Sequence, residues 1–245
     1  MEVYVTGDTH GFIDIRKLEK WDKGKKLTKN DLLIILGDTG IVFDPLIKYD
    51  DSLSIQTNQE MNLWKKIDAF PWKTLFIDGN HCNFDRLFSD EFEEVTWLGD
   101  KMKKITDDIY YLQRGRIYNI AGKSLFTFGG GYSIDKESRR PHTSWWEQEL
   151  PNKREIDFAI SQLETVDNKV DFVITHSAPQ DLINEIAFRQ RWMRGTDEEK
   201  PLTDFLNWVQ ENVEYKEWHF GHFHFDHNFD DVHFCHYNFE PRRIV

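Results

Sequence analysis

The sequence predicts a layered α/β fold, and three observations lead there. Short apolar, β-branched runs recur along the chain, helix-spaced patterns lie between them, and most runs end in a cluster of glycine and polar residues. Near-continuous apolar runs of about four to eight residues fit strands buried on both faces. Strands alternating with helices imply an α/β or α/β/β/α arrangement of layers.

Taken in order, EVYV (2–5) runs into TGDTHG, and LLIIL (32–36) runs into GDTG. TLFI (74–77) leads to DGNH, SLFTF (124–128) to GGGYS, DFVIT (171–175) to HSAP and EWHF (217–220) to GHFH. The segment DVHFCHYNF (231–239) alternates more and predicts an edge or antiparallel strand. Between these lie helical patterns. FIDIRKLEKW (12–21) spaces Ile15, Leu18 and Trp21 about a turn apart, and NQEMNLWKKIDAF (58–70) does the same with Met61, Trp64 and Ile67. NKREIDFAISQLETV (152–166) sets Ile156, Ile160 and Leu163 on one face, with Asn152 as N-cap and Glu155 three residues on. LTDFLNWVQENV (202–213) is the last helix, with Thr203 or Asp204 near its cap. Residues 131–150, GYSIDKESRRPHTSWWEQEL, fit no regular element and predict a functional loop. With no repeat, low-complexity tract or linker to divide it, the expectation is one domain over 1–245, elaborated at 131–150 and with a lid around 180–200.

Composition narrows the function classes. Hydrophobic residues at 39% and aromatics at 15% suffice for a sizeable core, so the chain is not a disordered one. A net charge of −12 argues against a nonspecific nucleic-acid coat, which neutralises phosphates with a basic face. It does not argue against small phosphorylated ligands, which need only a local positive patch or metal ions. No stretch approaches the roughly 18 apolar residues of a membrane span. The start, MEVYVTGDTHG, has no basic leader followed by an apolar region, and Cys82 and Cys235 form no CxxC pair. A reduced, cytoplasmic protein without a membrane partner is expected.

The polar clusters share one position, the C-terminal end of a predicted strand, where ligand sites form in open α/β sheets. Together they contain Asp8, His10, Asp38, Asn80, His81, His176, His222 and His224. Each alone is ordinary turn chemistry. Their number, and the glycine beside the polar residue at strand end after strand end, is not: carboxylate, amide and imidazole recur in the proportions of a metal site. The pair His81–Cys82 poses a separate choice between a thiol site, half of a metal site and a plain turn.

In the order GDTHG, GDTG, GNH, TH and GHFH, these motifs resemble the calcineurin-like metallophosphoesterases, from about residue 3 to 224. The segment GGGYSIDKESRRP followed by SWW is similar to a subgroup found in bacteria and their phages. The resemblance implies a four-layer α/β/β/α sandwich with two mixed sheets and a dinuclear metal site at the C-terminal strand ends. It implies Asp8, His10 and His224 on the first ion, Asp38 bridging, and Asn80, His176 and His222 on the second. It also implies attack on a phosphoester by metal-bound hydroxide, with His81 as general acid. Oxygen and imidazole ligation suits two divalent ions, manganese first, with iron or zinc as alternatives. The expected partner is a phosphorylated substrate: a phosphomonoester, phosphoprotein or nucleotide.

The chain departs from the family pattern twice. Cys82 follows GNH where many relatives have Asp or Glu, and GDTGIVFD lacks the Asp-Arg of the protein-phosphatase-like GDxxDRG form. Asp44 is a candidate orienter of His81. Phosphate-binding arginines must come from elsewhere: Arg139 and Arg140 in the glycine-led loop, and Arg189, Arg191 and Arg194 in FRQRWMRG. Tyr132, Trp145 and Trp146 either stack a base or anchor their loop, anchoring being expected. Two alternatives stand beside the phosphomonoesterase: a phosphodiesterase or nuclease, and a non-catalytic scaffold on the same fold.

Overall fold

In the computed structural model, which describes residues 1–48, 54–190 and 196–245, the β-branched runs become strands where the sequence predicts them. In chain order these are β1 (Val3–Thr6), β2 (Leu32–Ile35), the short pair β3 (Ile47–Lys48) and β4 (Ser54–Ile55), and β5 (Lys73–Phe76). Five strands follow in close succession, β6 (Glu93–Trp97), β7 (Asp100–Lys104) and β8 (Ile109–Leu112) as a meander and then the hairpin of β9 (Arg116–Ile120) and β10 (Lys123–Phe128). The remaining strands are β11 (Phe172–Thr175), β12 (Glu217–Phe220), β13 (His227–Asn228), β14 (His233–Cys235) and β15 (Arg242–Arg243).

Two mixed sheets result. The first runs β15-β1-β2-β5-β8-β7-β6, parallel from β1 to β8 and antiparallel at both flanks. The second runs β13-β14-β12-β11-β10-β9, parallel from β14 to β10 with antiparallel margins. Alternation along each strand sorts side chains between layers. Val3, Val5, Leu32, Ile34 and Leu75 of the first sheet pack with Tyr118, Leu125, Phe172 and Ile174 of the second, filling the space between sheets. Tyr4, Leu33, Ile35 and Phe76 face the other way, onto Leu18, Leu63 and Ile67 of two helices, α1 (Arg16–Glu19) and α2 (Asn58–Asp68). On the far side, Phe126, Val173 and Trp218 meet a helical layer. The fold is therefore the α/β class expected, with two mixed sheets.

That outer layer also shows where sequence reading fell short. Following the four-residue α3 (Phe84–Leu87), it is built from α4 (Lys153–Glu164), α5 (Gln180–Gln190) and α6 (Lys200–Asn212). Helix α4 opens with the expected capping box of Asn152 and Glu155, a feature worth about 1 kcal/mol. Helix α6 starts earlier than expected: Pro201 lies in its first turn and Thr203 is buried inside it, so neither Thr203 nor Asp204 caps it. Helix α5 occupies the first half of the region read as a lid, with Leu182, Ile183 and Ile186 buried against the second sheet. The pattern at 12–21 gives only the four residues of α1. The preceding backbone is tied elsewhere, with Thr9 and His10 donating to the Asp38 carbonyl and Gly11 to that of Thr39. Strand β14 is shorter than the 231–239 run and is no edge strand, but it has the antiparallel pairing expected on one side: it lies between β12 and β13, parallel to the former and antiparallel to the latter.

Candidate metal centre

The polar residues at the strand ends converge because each follows its strand by only a few residues. Asp8 and His10 follow β1, Asp38 follows β2, Asn80 and His81 follow β5, His176 adjoins β11, and His222 and His224 follow β12. The turns that deliver them are unusual. His10, Asp38, His222 and His224 all have positive φ, at 41°, 41°, 69° and 48°. Left-handed backbone costs a side-chain-bearing residue about 1–2 kcal/mol, and such residues cluster at functional sites. Crowding explains the glycines: a Cβ at Gly79 would collide with Asp38 Oδ1, and one at Gly37 with the His176 ring.

The two buried aspartates are held alike. Asp38 Oδ1 accepts the backbone N–H of His81 at 2.8 Å, and Asp8 Oδ1 accepts that of His222 at 3.2 Å. In both, Oδ2 is left facing the imidazoles. Asp38 Oδ2 lies 3.6 Å from His176 Nε2, 3.8 Å from His81 Nε2 and 3.9 Å from His10 Nε2. Asp8 Oδ2 is buried and makes no hydrogen bond, with His224 Nε2 3.4 Å away.

Two groups emerge whose donor atoms all lie within 4.8 Å of one another: Asp8, His10 and His224, and Asp38, His176 and His222. Asn80 joins the second, its Oδ1 3.1 Å from His176 Nε2 and 3.0 Å from His222 Nδ1. Asp38 Oδ2 stands between the groups, near His10 of one and His176 of the other. All seven residues predicted as ligands are thus brought together. An unpartnered buried carboxylate oxygen among imidazole nitrogens is the arrangement a divalent cation satisfies, and the oxygen and nitrogen donors fit one.

Charge tells the same story. Burial alone would raise the Asp8 pKa, but His176 and His224 outweigh it and hold the carboxyl below its ordinary value. Asp38 is held low against its own burial by His176 and His81. Burial disfavours a charged His176, yet Asp38 and Asp8 drive its pKa up to about 9. Burial, with His176 beside it, pushes His222 down to about 3. In His224 the Asp8 carboxylate close beside it prevails over burial and raises the pKa.

Several supporting residues are absent from the sequence reading. Asp14 Oδ2 lies 2.7 Å from His10 Nδ1, fixing that ring so that Nε2 faces the centre. His176 Nδ1 donates to the Leu36 carbonyl at 2.7 Å, which turns Nε2 toward the centre as the nitrogen that would ligate an ion in place of its proton. Lys17, half-buried beside Asp8, donates to the carbonyls of Gly7, Asp8 and Tyr237, and partial burial lowers its pKa to about 8. Asp14 follows His10 by four residues, the single hint available. Lys17 left none.

His81 stands at the rim beside Arg139, whose Nη1 is 2.9 Å from its Nδ1. Burial, with Arg139 adding to it, lowers the His81 pKa against the pull of Asp38. Asp44 is engaged elsewhere: its Oδ2 accepts the Thr57 hydroxyl, so the structure gives it no hold on His81. Cys82 turns away into the core with Phe84 and Leu87, and burial raises its thiol pKa well above the ordinary value. A thiolate nucleophile there is excluded on both counts.

The other candidate arginines are scattered. Arg140 is exposed and reaches the loop through its backbone N–H, which donates to Ser144 Oγ at 3.0 Å. Arg189 pairs with Glu185 on the outer face of α5. Arg191 and Arg194 lie outside the described residues. The loop aromatics are hydrogen-bonded: Trp146 Nε1 to Asp85, Trp145 Nε1 to Glu149 and the Tyr132 hydroxyl to Glu198. A cavity of about 340 Å³ opens from His10, Asp38 and His81 toward Phe12, Phe43 and Leu63.

Comparison with known proteins agrees with this geometry. The family model described as calcineurin-like phosphoesterase matches residues 1–226. No curated protein matches the chain.

Proposed function

The chain belongs to the calcineurin-like phosphoesterase family, a metal-dependent group of hydrolases acting on phosphoester bonds, and from that premise we propose a phosphomonoesterase with a dinuclear centre. The single observation that carries the reading is the pair of ligand groups flanking one buried carboxylate oxygen, Asp38 Oδ2. Asp8, His10 and His224 would hold one divalent ion, and Asn80, His176 and His222 the other, with Asp38 shared. Two such ions, manganese first among the candidates, supply water activation and offset the charge that grows on the phosphoryl group.

The chain's own residues supply the rest. Arg139 presents its guanidinium beside His81, where its planar donors suit phosphate oxygens. His81 gives a proton to the departing oxygen. Burial keeps its pKa low in the free protein, and an anionic phosphoryl group beside it acts in the opposite direction. The cavity walled by Phe12, Phe43 and Leu63 receives the leaving group, the hydroxyl-bearing side chain or nucleoside released from its phosphate, rather than a duplex. Both cysteines are buried free thiols, which supports a reducing, cytoplasmic setting.

The test is elemental analysis of purified protein followed by a phosphoester panel with added Mn²⁺. Two transition-metal ions per chain, and faster hydrolysis of p-nitrophenyl phosphate than of bis-p-nitrophenyl phosphate, are expected. The reverse preference would make the protein a phosphodiesterase. No hydrolysis of any phosphoester would make it a scaffold.

A further inference from the structure

The loop at 131–150 sends a buried carboxylate to the back of Asn80. Glu149, Ser133 and Asn80 are only 1%, 2% and 4% exposed. Glu149 Oε1 accepts the Ser133 backbone N–H at 3.0 Å and the Trp145 indole N–H at 2.9 Å. Its Oε2 accepts the Ser133 hydroxyl at 2.6 Å, at the short end of O–H···O bonds. A serine hydroxyl has one proton. With that proton committed to Glu149, Ser133 Oγ can only accept from Asn80, and Asn80 Nδ2 lies 3.0 Å from it.

The direction of this chain matters because an amide has two faces of nearly equal shape. Turned by half a rotation, Asn80 would aim its NH₂ at His176 and His222, where a cation would meet a donor instead of an acceptor. Fixed by Ser133, it aims Oδ1 there instead. We propose that Glu149 and Ser133 are positioning residues which lock the Asn80 amide with its oxygen toward the second ion, and so set the affinity for that ion alone. The inference rests on the reading of Asn80 as a ligand. It assigns the glycine-led loop a role in metal binding that none of its own side chains performs directly.

Calorimetric titration of Mn²⁺ into metal-free protein, with elemental analysis at limiting metal, tests it without measuring activity. Partners of metal ligands affect affinity by about 10–100-fold when removed. Ser133→Ala and Glu149→Gln should each weaken one of the two binding events by about that factor and leave the other unchanged. Ser133→Thr, which keeps the hydroxyl, should recover most of the loss. Asn80→Ala should abolish the same event, whereas Asp14→Asn should weaken the other. Wild-type affinity at both sites in S133A and E149Q, with one event lost in N80A, would overturn the positioning role and spare the ligand reading. Two unchanged events in N80A would remove both together. Equal loss of both ions in S133A and E149Q would mark general disruption and also overturn the proposal.

Discussion

Arg139 Nη1 lies 2.9 Å from His81 Nδ1, so a guanidinium and an imidazole share one rim of the centre. The arginine is itself fixed, its Nε donating to Asp135 at 2.7 Å and its Nη1 to the Ser144 carbonyl at 3.0 Å. A guanidinium held in place presents its donors to phosphate with little further ordering.

Arg139→Ala is therefore expected to lower kcat/KM for a phosphomonoester by about 10–100-fold, in line with about 1.5–3 kcal/mol for hydrogen bonds to charged groups. Arg139→Lys should recover little, because an ammonium cannot reproduce the planar fork. Steady-state kinetics decide this, and an unchanged kcat/KM in R139A would take Arg139 out of substrate contact.

The role of His81 depends on the leaving group. General acid help is worth about 10²–10⁴-fold and matters most when the departing oxygen is basic. His81→Ala should slow phenyl phosphate by about that factor and p-nitrophenyl phosphate far less. Equal losses on the two esters would mean that His81 binds substrate and transfers no proton.

Asp38 is set between the two ligand groups by a backbone N–H on one oxygen and imidazoles around the other. Asp38→Asn keeps the shape, and the acceptor for His81 N–H, but removes the charge. Bound metal should fall below two ions per chain, and activity should drop by about 100-fold or more, as expected where an ion contributes several kcal/mol. Full metal content in D38N would sink the bridging role.

The legible part of this protein was the set of residues whose identity and spacing repeat a chemical demand. Glycine beside carboxylate, amide or imidazole marked the strand ends that carry Asp8, His10, Asp38, Asn80, His222 and His224, and His176 follows its strand without one; the order of the motifs completed the set of seven candidates. Partners that act across the chain were not legible. Asp14, Lys17, Ser133 and Glu149 look like any surface residue until the turns at Asp8, Asp38 and Asn80 bring them in. Strands β6 and β7 escaped because EEVTW and DKMKK carry charge on their exposed face, leaving no apolar run to detect. Cys82 shows that neighbours in sequence need not be neighbours in a site: the residue beside His81 in sequence points into the core, and Arg139 from the distant loop takes the place at its side.

Glu199 gives the fold a pH dependence that can be measured apart from catalysis. It is 5% exposed, its Oε1 receives the Ser177 hydroxyl at 3.4 Å, and among the described residues no cation offsets it. Burial raises its pKa from 4.5 to about 7, with Glu149 adding to the effect. The folded chain thus holds a proton that the unfolded chain releases. The resulting stabilisation is complete below pH 4.5 and is lost as pH rises through about 7. A shift of that size corresponds to at most about 3 kcal/mol. Glu199→Gln removes the titration while keeping the shape. In urea denaturation of the metal-free protein, the wild type should lose about 2–3 kcal/mol between pH 5 and 8 relative to E199Q, with the variant the more stable at pH 8. A constant difference between the two proteins across that range would show that Glu199 is ionised throughout, and that a donor other than Ser177 supports its charge.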